Sequence, residues 1–185
     1  MPNLSFQVPA DVTFEQAIAL TKDLLAANTS EELLEKAIAA LLQTQNGVRG
    51  FLVTFLGSDA FSQGTDFSAD PRWQAVLRGM RSHPAGIADL MTKNLVMPAA
   101  MAITHQRNQN LELAESSAAT QARSQQVIQQ LNLAAIYEKL GQMQASLKKN
   151  SGEYQDFLDR WGYDAEQKSV MLQAIATVLP HEFTQ

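Results

Sequence analysis

The chain has 185 residues, 45% of them hydrophobic, a formal net charge of −5 and no cysteine. A chain this long and this apolar can bury a sizeable core without staples, which excludes intrinsic disorder; the missing cysteines exclude disulfides, thiolate metal sites, iron–sulfur clusters and cysteine nucleophiles. The acidic balance argues against phosphate-backbone binding, which needs clustered positive charge, no apolar run approaches the ~20 residues of a bilayer crossing, and the opening MPNLSFQVPADVTFEQ lacks the basic-then-apolar order of a signal peptide.

Residues 1–12, with Pro2 and Pro9, read as an extended segment. Thr13 and Gln16 form a capping box at the head of a helix over 13–27. Thr29 and Glu32 form a second box for a helix over 30–45, and the short turn between the two predicts an antiparallel hairpin. Asn46-Gly47 reads as a breaker. Phe51–Leu56 carries strand-favouring residues, yet Phe51/Phe55 and Leu52/Leu56 are helix-spaced. No second strand is present to pair with it, and a lone strand cannot satisfy its backbone, so a short buried helix is expected. Residues 57–69 read as a loop anchored by Phe61 and Phe67. Asp70-Pro71 is an N-cap and first-turn proline for a helix ending near Ser82, and His83-Pro84 closes it.

A long helical pattern follows from Ala85 to about Leu131, interrupted by Pro98. Asn132 separates it from a helix over 133–149, KNSGE makes a turn, and a short helix over 153–161 stops at Gly162, with Tyr163 packing back on Leu158. Asp164 and Gln167 cap a last helix over 165–179, closed by Pro180. The expected fold class is all-α, a multi-helix bundle with one long, proline-kinked central helix. Its single helical domain spans 13–179, between the extended N-terminal segment and a tail over 180–185.

The stretch MPAAMAITHQRNQN (97–110) poses the functional question. At ~100° per residue, Ile87, Met91, Pro98 and Met101 lie at the centre of an apolar face, and His105 points the same way as Ile87. Asn94, Asn108, Gln109 and Glu112 share that face, while Asp89 and Lys93 make an i,i+4 pair on the opposite side. Pro98 has no N–H, so the carbonyl of Asn94 loses its helical partner. One reading is a polar pocket at a kink, built from Asn94, Met101, His105 and Gln109, in which His105 serves as acid–base group or axial ligand. The plainer reading has His105 mark the exit of a buried helix into water.

Other constellations are weaker. No Glu-x-x-His motif precedes His83, His105 or His181, which removes a di-iron bundle. Phosphate loops and a nucleophile elbow are absent. Arg72, Arg78, Arg81 and His83 read as a solvated face rather than an anion site, and Trp73, Trp161 and Tyr163 as core or cap residues. Met80, Met91, Met97 and Met101 read as core filler before they read as cavity lining.

The tract ESSAATQARSQQ (115–126) has no apolar side chain larger than alanine. A helix from 99 to 131 is ~50 Å long, against a domain diameter of ~40 Å. It must break, overhang or pack on a second chain, and the line Leu111, Ala114, Ala118, Ala122, Gln125, Ile128 suits close packing. A homo-oligomer, a homodimer in its simplest form, assembled through 111–131 is the expectation.

NGVRGFLVTFLGSD, LMTKNLVMPAAMAITHQRNQ and FLDRWGYDAEQ resemble segments of uncharacterised single-domain proteins of cyanobacterial type. The resemblance implies a cytosolic protein of a photosynthetic bacterium and carries over no activity and no catalytic residue. The sequence thus points to a non-enzymatic helical-bundle interaction or regulatory protein, cytoplasmic, with an unknown protein partner and neither metal nor cofactor. The alternatives are a bundle binding a hydrophobic or tetrapyrrole-like small molecule near Pro98 and His105, and an enzyme using His105 as base.

Overall fold

The computed structural model describes residues 6–57 and 70–183, and every regular element among them is helical. They make nine α-helices and a 3₁₀ turn at His181–Phe183. The expected loop with Phe61 and Phe67 falls, from residue 58 onward, outside the described residues. Packing divides the chain into two compact units, one running to Ile87 and the other from Ala88.

In the first unit, α1 (Phe14–Ala26) starts where the sequence places it: Thr13 Oγ1 accepts from Gln16 N at 3.2 Å, and Gln16 Oε1 accepts from Thr13 N at 2.9 Å. Helix α2 (Glu31–Leu41) is capped one residue later than expected. Ser30 Oγ accepts from Leu33 N, whereas the Thr29 amide is taken up by a turn onto Ala27 O and its hydroxyl is turned inward and buried.

The larger correction concerns Asn46-Gly47, which does not break the chain but lies in the first turn of α3 (Gln45–Gly57). Thr44 Oγ1 accepts from Gly47 N at 3.0 Å, capping the helix that contains Phe51–Leu56. Glycine is needed at 47 for space rather than for flexibility: a Cβ there would stand 1.8 Å from the Leu41 carbonyl oxygen. At Gly50 a Cβ would stand 2.4 Å from Ala17 Cβ, so α1 and α3 pack almost backbone to backbone.

Helix α4 (Trp73–Arg81) packs on α2 through Gly79. It begins later than Asp70-Pro71 suggests, because the Asp70 side chain is committed to Arg72. Asp70 Oδ1 accepts from the Arg72 amide at 2.8 Å, and both carboxylate oxygens take the guanidinium. Arg72 in turn donates to Leu25 O, at the end of α1. Burial raises the Asp70 carboxyl, but the bonds from Arg72 outweigh it and hold the group below its ordinary range.

In the second unit the expected continuous helix to Leu131 is two helices, α5 (Pro84–Arg107, whose first turn belongs to the first unit) and α6 (Leu111–Leu131). Pro98 lies inside α5 and does not end it. The break is at 108–110, where Gln109 adopts φ +57°. Asn110 N donates to His105 O at 2.9 Å and Gln109 N to Gln106 O at 3.0 Å, the paired bonds of a Schellman stop with glutamine in place of the usual glycine. Asn110 then caps α6, its Oδ1 accepting from Leu113 N.

A left-handed conformation costs a β-carbon-bearing residue ~1–2 kcal/mol, against ~0.5–1 kcal/mol of extra chain entropy lost by glycine. Gln109→Gly is therefore expected to stabilise the protein by about 0.5–1 kcal/mol, read as a rise in the thermal midpoint. A drop would mean the Gln109 side chain makes a compensating contact.

The remaining elements follow the sequence closely. Asn132 takes φ +49° before α7 (Ala134–Lys149), and Asn150 takes φ +50° after it. Helix α8 (Gln155–Trp161) stops at Gly162, φ +61°. Asp164 and Gln167 form the capping box of α9 (Ala165–Ala176). Beyond Pro180 the 3₁₀ turn lies against α7, with Phe183 5.3 Å from the Tyr137 ring.

Candidate functional site

The sequence-predicted face of α5 opens onto a shallow groove of about 270 Å³ within the second unit. Asn94, Met97, Pro98, Met101 and His105 form one wall. Ser116, Ser117 and Thr120 of α6 form the other. Three of the four predicted site residues, Asn94, Met101 and His105, thus come together beside Pro98. Gln109 does not join them: it sits exposed in the turn, because the helix whose wheel placed it on this face ends at Arg107.

Each wall is held from outside. Asn94 Nδ2 donates to Leu90 O at 2.9 Å, one turn back, while its own carbonyl faces the position where Pro98 offers no N–H. The backbone of His105 is fixed by the bond from Asn110, and its ring is half-buried at the mouth of the groove. Thr104, next to it, accepts from Gln167 Nε2 at 2.8 Å, and the same amide nitrogen donates to Ala100 O at 3.2 Å. Gln167 therefore ties α9 to the last turns of α5. On α6, Thr120 Oγ1 donates to Ser116 O.

Arg107, just past the groove, donates to Asp164 Oδ2 at 2.5 Å and to Glu166. Its guanidinium, then the backbone amide of Gln167, hold the Asp164 carboxyl below its ordinary range. On the other side of α5 the predicted Asp89–Lys93 pair is present at 2.7 Å. A further partner, which no spacing in the sequence signals, is Tyr154, whose buried phenol donates to Asp89 Oδ1 at 2.9 Å. Burial, then the charge of Asp89, push that phenol well above its ordinary value. Among the described residues no group of three or more histidine and carboxylate side chains is placed to hold a metal ion.

In the first unit, Arg78 donates to Glu35 at 2.6 Å and Glu31 at 3.1 Å, and Arg72 to Asp70, so these two arginines of the 71–83 region face carboxylates. Trp73 and Tyr163 are buried as expected, but Trp161 is 50% exposed and stacks flat on Tyr163. The small-residue line of α6 is also divided. Ala114 and Ile128 face inward, Ala118 is exposed, and Leu111 is 66% exposed. The α6 wall of the groove was missed because the hydroxyls of SSAAT reach α5 only after the chain reverses at 108–110; the run of hydroxyl residues itself was the available signal.

Among the described residues no helix is long and apolar enough to cross a membrane. No curated protein and no solved structure matches the chain. Residues 13–178, which contain all nine helices, match the family described as uncharacterised conserved protein UCP020893. The chain belongs to that family.

Proposed function

We propose that the chain is a non-enzymatic interaction protein of the cytoplasm that self-associates through 111–131. The observation that carries this reading is the first turn of α6, where Leu111 is 66% exposed and Leu113 46% exposed. Two large apolar side chains in one turn leave surface whose removal from water favours association. Trp161, also half exposed, lies three residues before Asp164, and Leu111 four after Arg107, the two partners of an ion pair. An apolar centre beside charged side chains is the composition of a protein interface. The break at Gln109 leaves α6 short enough to lie within the domain, and exposed Ala118 is the feature that lets a second helix approach closely.

The test is Ala118→Arg with Ala122→Arg, followed by sedimentation and thermal unfolding. The wild-type chain is expected to sediment as a dimer and the variant as a monomer. On a helix that merely faces water the changes shift stability by no more than ~0.5 kcal/mol each. A monomeric wild type, or a variant of unchanged mass, overturns the reading.

A second reading, binding of a small molecule, is favoured by the convergence of Asn94, Met101 and His105 on one groove. The groove is open and smaller than the ~300–1,000 Å³ of most ligand pockets, which fits a compact ligand better than a tetrapyrrole. Native mass spectrometry of protein purified from its own host tests it through any co-purifying organic ligand.

A further inference from the structure

A second groove of the same unit lies where the C-terminal 3₁₀ turn meets α7. It measures about 310 Å³, at the lower edge of the ~300–1,000 Å³ usual for ligand pockets. Tyr137, Glu138 and Gly141 of α7 line it, with Glu182 and Phe183 of the turn. We propose that this groove binds a small quaternary ammonium ion, against the rings of Tyr137 and Phe183 and neutralised by the carboxylates of Glu138 and Glu182.

The rings select a cation without N–H groups. Phe183 stands 5.3 Å from Tyr137, centroid to centroid, with the planes tilted by 47°. Rings tilted this far do not cover one another's faces, and both border the groove. An aromatic face carries negative potential and attracts a cation. A quaternary ammonium gains most from it, because it gives up no hydrogen bonds to water on entering. Both rings are held in place. The Tyr137 hydroxyl donates to Asn132 Oδ1 at 3.0 Å. The Phe183 amide donates to Pro180 O at 3.0 Å, and its carbonyl lies over Gly141, where a Cβ would stand only 3.3 Å from the oxygen. Glycine is disfavoured inside a helix; here it gives the turn its seat on α7.

The charge selects the sign. Among the described residues the lining holds two carboxylates and no cationic side chain. Lys139, the neighbour of Glu138 on α7, pairs with Glu153 instead. Asp89, Asp164 and Glu166 of the same unit each meet a lysine or an arginine, whereas Glu138 and Glu182 meet none. A hard metal ion would need several converging oxygen ligands, and no group of three or more carboxylate and histidine side chains among the described residues provides them. An organic cation uses the rings and the carboxylates together. The groove is separate from the α6 surface and from the groove beside Pro98, so a negative result bears on neither self-association nor that second reading.

The full chain is titrated with choline and followed through its aromatic NMR signals. One saturable site is expected, with shifts at Tyr137 and Phe183 and none at Trp161, an exposed ring that reports unspecific contact. The neutral isostere 3,3-dimethyl-1-butanol should bind about tenfold more weakly, the weight of a cation on aromatic faces. Ethanolamine, of equal charge but with N–H groups, should also bind more weakly than choline. Glu138→Gln with Glu182→Gln should weaken choline about tenfold and leave the isostere unaffected. Glu112→Gln with Glu115→Gln removes the same charge from α6 and should change nothing. Phe183→Leu keeps an apolar contact but no ring face, and should weaken choline as well. Circular dichroism verifies that the variants keep their helices. Absence of saturable shifts, shifts as large at Trp161, equal binding of the isostere, tighter binding of ethanolamine, or full affinity in the Glu138/Glu182 variant or in Phe183→Leu each overturn the proposal.

Discussion

Gly47→Ala is expected to destabilise the first unit by about 3 kcal/mol, the upper end of the usual cost of an added methyl group. The new Cβ would lie 1.8 Å from the Leu41 carbonyl oxygen and 2.8 Å from its carbon, both backbone atoms that no rotamer change can move aside. Relief requires the end of α2 to part from the start of α3, at the expense of buried Leu41 and Leu42. Gly50→Ala should cost less, because its closest neighbour is the Ala17 methyl at 2.4 Å, which α1 can carry away by a small shift. Gly57→Ala is the control: a Cβ there meets nothing within 4 Å. Urea unfolding ranks the three. A Gly47 variant as stable as the Gly57 variant would show that α2 and α3 do not approach as described.

Gln167→Ala is expected to cost about 2–3 kcal/mol, at roughly 1 kcal/mol for each of three hydrogen bonds lost. One bond is the return half of the α9 capping box, from Asp164 N to Oε1; the others run from Nε2 to Ala100 O and Thr104 Oγ1. Gln167→Glu separates the two jobs. It keeps an acceptor for the Asp164 amide but turns a carboxylate toward the Ala100 carbonyl, so it should be no more stable than the alanine variant. Thermal unfolding of the pair decides: a loss below ~0.5 kcal/mol, the level of an ordinary surface change, would mean that Gln167 does not anchor α9 to α5.

Local chemistry was legible where two side chains close a reciprocal capping box. Thr13 with Gln16 and Asp164 with Gln167 place two helix starts to the residue, because the interaction is complete within four positions. Asn46-Gly47 misled for the opposite reason. The same lack of a Cβ that permits a turn also permits close packing, and only the position of Leu41 shows which use is made of it. The 108–110 turn was unreadable in another way, since neither glycine nor proline marks it and its left-handed residue is Gln109. Helical period alone brought Asn94, Met101 and His105 to one face, and it carried Gln109 there wrongly by running on past the end of the helix. The opposite wall, Ser116 to Thr120, depends on the direction of α6, which no period encodes.

Asn110 ends one helix with its amide and begins the next with its side chain. No linker length remains between α5 and α6 to absorb an inserted or deleted residue. One extra residue there would turn α6 by ~100° about its axis and shift it by ~1.5 Å. Ser116, Ser117 and Thr120 would then rotate off the groove while Met97, Met101 and His105 stayed in place. The stretch from Pro98 to Thr120 is in this sense a fixed ruler, whose length matters as much as its residues.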